Sequence, residues 1–101
     1  MISAAQELKM EIDAVKAIGV YDVAQKKFLH EDPNLSNIPF LLRVAASNTW
    51  SETLFAFFNT NKEWLYITSK ESIFVFISLK HLKNVNRVLL EIKTRKLLSE
   101  Y

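Results

Sequence analysis

The chain has no cysteine, one glycine and two prolines among its 101 residues. Without cysteine there is no disulfide scaffold, no cysteine zinc finger and no thiol nucleophile. Nothing in the framework calls for an oxidising compartment, so a reducing cytoplasm is the expected location. Gly19 alone cannot build the glycine-rich phosphate loops of the P-loop or dinucleotide type, and nucleotide binding by those routes is excluded. Long apolar runs are missing too. The longest uncharged stretch, residues 33–42, holds both prolines, two asparagines and a serine, whereas a membrane span needs roughly 20 apolar residues. Residues 1–5 lack the basic and continuous apolar regions of a secretory leader, with Glu7, Lys9 and Glu11 following at once, so no leader is expected.

What is present is apolar material in quantity. Half the residues are hydrophobic, with seven Phe, three Tyr and two Trp, on a formal charge of only +2. Disordered chains show the opposite balance, so a folded core is expected. There is no internal repeat or low-complexity tract, and the Pro-bearing loop at 32–37 is too short to divide the chain, so residues 1–101 read as one domain.

Ser3 and Gln6 stand in capping-box spacing, and Ala5, Leu8, Ile12 and Val15 then recur on one helical face, predicting an amphipathic helix over 3–17. Residues 18–23 and 27–31 are β-favouring runs separated by Ala24, Gln25 and Lys26, and read as a hairpin whose turn lacks Gly or Asn. Asn37 caps a second helix, with Pro39 in the first turn where a missing amide hydrogen costs nothing. Through residue 50 that helix carries Arg43 as its only ionised side chain, so it is expected to be covered on more than one side.

Beyond Trp50 the period changes to two. Runs at 53–60, 63–69 and 73–79 form a three-strand meander, and Val85, Val88, Leu89 and Ile92 predict the buried stripe of a terminal helix over 84–100. Leu90, Leu97 and Tyr101 fall about 110 to 150 degrees around that helix from the stripe. In the meander both strand faces are apolar. Leu54, Ala56 and Phe58 oppose Phe55 and Phe57; Leu65 and Ile67 oppose Trp64 and Tyr66; Val75, Ile77 and Leu79 oppose Phe74 and Phe76. An antiparallel sheet with one wet face would alternate polar with apolar, so this sheet is expected to be covered on both sides, by helices or by a second subunit.

The order helix, two strands, helix, three strands, helix resembles the roadblock family of dynein-light-chain-type domains. Three stretches carry the resemblance: Val15-Lys16-Ala17-Ile18-Gly19-Val20-Tyr21-Asp22, which looks like the family's first helix running into a strand that ends in Asp; the meander; and Asn86-Arg87-Val88-Leu89-Leu90, similar to the Asn that opens the last helix. The turn at 24–27 lacks the family's usual glycine, and Arg87 stands where glycine commonly follows that Asn. Longin domains share the central sheet but begin with a strand, which favours roadblock.

The resemblance implies an α+β, α-β-β-α-β-β-β-α, profilin-like sandwich: a five-stranded antiparallel sheet with helices on both faces. It further implies a non-catalytic homodimeric adaptor or regulator of a small Ras-like GTPase. The alternatives are a structural light-chain-like subunit of a larger complex and a profilin-like sensory or ligand-binding module. The dimer it implies is built from the second helix and the first meander strand, here Leu41, Leu42, Ala45, Ala46, Phe55 and Phe57.

Residues with chemistry are few. His30 and His81 have no second ligand-type residue at metal spacing, and none of the eight serines sits in a nucleophile elbow. The acidic pairs Glu31-Asp32 and Glu11-Asp13 read as solvated edges. No catalytic, cofactor-binding or metal residue is therefore assigned, and no enzyme is expected. Charge is uneven: from residue 80 onward six basic residues face two acidic ones, whereas the first 79 hold seven basic and nine acidic. Lys80, Lys83 and Arg87 are the candidate partner-binding residues. Nucleic acid is not the expected partner, because the aromatic residues that would stack on bases lie in strands expected to be buried.

Overall fold

The computed structural model describes residues 3–35, 38–46, 55–59 (backbone alone) and 64–101. They form an α+β domain of three helices, α1 (Ala4–Glu11), α2 (Ile38–Ala46) and α3 (Arg87–Leu98), and strands β1 (Val15–Asp22), β2 (Lys27–Glu31), β3 (Phe55–Asn59), β4 (Trp64–Lys70) and β5 (Ile73–Leu79). The strands are antiparallel in the order β2-β1-β5-β4-β3, so β1 and β5 are central and β2 and β3 are the edges. No helix among the described residues is long and apolar enough to cross a membrane.

The sheet is buried on both faces by helices. On one side α1 and α3 cover Ile18 and Val20 of β1, Tyr66 of β4, and Val75, Ile77 and Leu79 of β5. Across the sheet, Leu41 and Ala45 of α2 pack against Ala17, Leu65, Ile67, Phe74 and Phe76. Alternate residues of each central strand thus serve different cores, which is why the run 73–79 is apolar at every position but Ser78.

α1 opens as its sequence dictates. Ser3 Oγ accepts from the Gln6 amide and Gln6 Oε1 accepts from the Ser3 amide, a reciprocal capping box. It does not run to residue 17. The chain becomes extended at Ile12, turns through Asp13 and Ala14, and enters β1 at Val15. The spacing that suggested a longer helix has a physical cause: Ile12 and Val15, three apart, face the same core across the turn at Asp13 and Ala14, with the Val15 amide donating to the Ile12 carbonyl at 3.0 Å, so a turn imitates helical spacing. The β1–β5 register then shifts between Val15 and Ala17, a bulge at Lys16.

The β1–β2 turn manages without glycine. Asp22 Oδ1 accepts from the Ala24 and Gln25 amides at 2.9 and 3.3 Å, and Lys26 takes the left-handed conformation at φ 55°. Asn86 caps α3, its Oδ1 accepting from the Leu89 amide. The buried face of α3, however, is Leu90, Thr94, Leu97 and Leu98. Val85 and Leu89 are half-buried, and Val88 and Ile92 stand 66% and 56% exposed, with Tyr101 also exposed. The expected Val88–Ile92 stripe is therefore the outside of the helix. In this rotation Leu90, Leu97 and Leu98 are buried, and Lys93 and Lys96 face α1 and meet Glu7 and Glu11. Thr94 can lie inside because its hydroxyl donates to the Leu90 carbonyl at 2.6 Å.

Gly19 marks a close approach. A Cβ there would lie 2.6 Å from Leu35 Cδ2 and 3.3 Å from Phe28 Cε1. Gly19→Ala is expected to cost about 1 to 3 kcal/mol in urea unfolding, through overpacking. Combining it with Leu35→Ala should cost less than the sum of the two single changes, because Leu35 is the atom source of the clash. Strict additivity would show that Leu35 does not constrain this position.

Candidate functional site

The most constrained polar cluster is one the sequence reading placed in solvent. Asp32, expected at a solvated edge with His30 at a solvated strand end, is only 6% exposed. Its Oδ2 accepts from Lys9 Nζ at 3.0 Å and from the Ile18 amide at 2.9 Å, and its Oδ1 lies 2.9 Å from His30 Nε2. One carboxylate so joins α1, β1 and β2. The backbone adds to it: the Asp32 amide donates to the Ile18 carbonyl at 3.1 Å, and Asn34 Nδ2 donates to the Lys16 carbonyl at the bulge.

Burial alone would raise the Asp32 carboxyl. The bonds from Lys9 and Ile18, the Lys9 charge and the His30 contact outweigh it and hold the group below its ordinary value. Lys93 is raised by the hydrogen bonds it donates to Glu11 and Glu7, and Glu7 is lowered by those it accepts from Lys93 and Lys96. Tyr66, buried under α3, is raised by burial and then by the Glu91 charge.

His30 and Asp32 have the contact of an oriented base, yet the third partner is an ammonium group on α1 rather than a nucleophile. What the arrangement does is hold three elements in one place. Among the described residues no group of three or more His, Asp or Glu is arranged to hold a metal ion.

The expected interface residues divide between layers. Leu41 and Ala45 are buried in the chain's own core, Leu42 is half-buried and Ala46 is exposed. Phe55 and Phe57 pair in register with Thr68 and Tyr66, positions of the α1/α3 face, across the sheet from α2; their side chains lie outside the described residues. On its outer side α2 presents an open, mostly apolar groove of about 580 Å³ lined by Phe40, Arg43, Val44 and Ala46.

Lys80 and Lys83 are exposed on the β5–α3 connector, and Arg87 is exposed at the first residue of α3. The basic residues further along are engaged. Lys93 lies 2.7 Å from Glu7 and 2.8 Å from Glu11, Lys96 is 2.9 Å from Glu7, and Arg95 is 2.7 Å from Glu91. The sequence reading missed Lys9 and Asp32. The one signal for them was Asp32-Pro33-Asn34, a turn sequence that folds back on the strand before it.

No protein-family model, curated protein or solved structure matches the chain.

The depressed carboxyl of Asp32 sets a pH dependence. Its contribution to stability is complete above the unfolded-state value, about 3.9 for aspartate, and is lost as pH falls through the lower folded-state value. Asp32→Asn is expected to cost about 1 to 3 kcal/mol at neutral pH. The same change should flatten the fall in melting temperature below about pH 4. If the variant keeps the wild-type acid limb, that limb belongs to Glu7, the other depressed carboxylate.

Proposed function

We propose that this chain is a non-catalytic, dimeric adaptor of roadblock type, working in the cytoplasm and presenting a composite surface to a small Ras-like GTPase. The element order α-β-β-α-β-β-β-α and the antiparallel sheet with helices on both faces support that reading. The observation that carries it is an open apolar groove on α2 in a chain whose sheet ends in an edge strand, β3. With the sheet faces occupied by the chain's own helices, the groove and the edge are the surfaces among the described residues that a second copy would use on this side. A two-fold axis would satisfy both at once, because an isologous contact uses each patch twice.

Placement inside the chain decides which residues test the dimer. Lysine at Ala45 would unfold the protein, since Ala45 lies in its core. Ala46 is exposed and lines the groove. Sedimentation at micromolar concentration is expected to give twice the chain mass, and Ala46→Glu to give folded monomers, at a cost to association of several kcal/mol from an unpaired interfacial charge. A wild-type protein that sediments as a monomer overturns the dimer. Pull-down with small GTPases in both nucleotide states tests the adaptor role: state-dependent capture supports it, and indifference assigns the chain to the structural light-chain-like class. The purified protein is expected to show no GTP or ATP turnover that scales with its own concentration.

A further inference from the structure

We propose that the cleft between the end of α1 and the start of α3 binds a small zwitterion with an aliphatic body, the chemistry of a free leucine-like amino acid. The cleft holds about 400 Å³, within the range of small-molecule sites, whose walls are mostly apolar with a few polar groups that fix orientation. Ile12, Ala14, Val85 and Leu89 supply its apolar surface. The first two belong to the core under α1 and α3 and the other two pack against it, so this surface is held by the chain's own packing. The Lys80 amide donates to the Ala14 carbonyl at 2.8 Å and fastens one wall, the β5–α3 connector, to the other, the turn after α1.

Two unlike charges stand on this cleft without meeting. Asp13 comes from the turn after α1 and Lys83 from the connector; both are exposed, and neither forms an ion pair with the other or with any described residue. Glu11 also lines the cleft, but Lys93 holds it at 2.8 Å. Asp13 is therefore the carboxylate with no cation of its own, facing a cleft that also carries an ammonium group. The helix ends repeat this polarity. α1 finishes at Glu11 and presents the negative end of its dipole on the Asp13 side, whereas α3 begins at Arg87 and presents its positive end on the connector side. A lone cation or a lone anion would be favoured at one end and opposed at the other. A molecule with ammonium and carboxylate on one carbon satisfies both: the ammonium donates to the Asp13 carboxylate, the carboxylate accepts from Lys83 Nζ, and the aliphatic side chain covers Val85 and Leu89. The cleft lies across the sheet from the α2 groove and the inference does not rest on the adaptor reading, so ligand binding and sedimentation mass can fail independently.

The probe is L-leucine, titrated into isotope-labelled protein and followed by amide shifts. Three analogues each lack one part: glycine has no aliphatic body, leucinol keeps the ammonium without the carboxylate, and N-acetylleucine keeps the carboxylate without the ammonium. Leucine is expected to saturate below about 10 mM, with shifts clustered at residues 11–14 and 81–89. Each analogue should bind at least about tenfold more weakly, because it leaves one charge of the cleft or its apolar surface unmatched. Asp13→Asn and Lys83→Met should each weaken leucine binding about tenfold while leaving melting temperature and sedimentation mass unchanged. No saturation by that concentration, shifts outside the two stretches, an analogue that matches leucine, or variants that bind as the wild type does would each overturn the proposal.

Discussion

Asp32 carries its charge to a nearly closed position where α1, β1 and β2 converge, and the arrangement of that side of the molecule depends on how the charge is met. A buried carboxylate without donors is expensive enough that it would protonate or unfold its surroundings. Here the Ile18 amide, the Lys9 ammonium and the His30 ring meet it from three elements. Because the donors come from different parts of the chain, meeting the charge also fixes where those parts lie. The residues after Asp32 are then held over β1, with Asn34 on the Lys16 carbonyl and Leu35 on the surface of Gly19. The chain's only glycine sits where a Cβ would collide with that covering residue. The carboxylate and the glycine are two halves of one constraint.

A second polar seam works on the outer layer. Lys93 sits between Glu7 and Glu11, and Lys96 adds to Glu7, so the short α1 is held against α3 by charge as well as by Leu8 and the two alanines beneath it. Exposed pairs contribute little singly, but a lysine shared by two carboxylates restricts helix rotation more than one pair does. The seam goes with a rotation that turns Leu90 and Leu97 inward and leaves Val88 and Ile92 outside. Polar satisfaction is incomplete elsewhere: the Thr68, Ser69 and Ser78 hydroxyls are buried without a hydrogen-bond partner among the described residues. Each is a local cost of about 1 to 3 kcal/mol, and nothing in the structure explains their retention.

These two seams distribute the surfaces left for other molecules. The α2 groove lies on one side of the sheet, and the exposed Val88 and Ile92 of α3 lie on the other. A small two-sided sheet has this property in general, since covering both faces with helices turns two helix backs outward.

Much of the architecture was legible in the chain before folding. Strand runs 27–31 and 73–79, the capping box at Ser3 and Gln6, the Asn86 cap and the need for cover on both sheet faces follow from local propensity, side-chain chemistry and the two-residue period, which act over a few neighbouring residues. Tertiary structure decided the rest. Where α1 ends depended on Val15 pairing with Leu79 of β5, some sixty positions away in sequence, which takes Val15 into the sheet. Which face of α3 is buried depended on packing with distant elements, because apolar residues lie on more than one side of that helix and only Leu90, Leu97 and Leu98 join the core shared with α1 and the sheet. Whether Leu41 and Ala45 serve the core or an interface, and whether Asp32 is wet or buried, depended on which elements close over them. A local pattern specifies that a side chain can be buried; the long-range contacts determine against what.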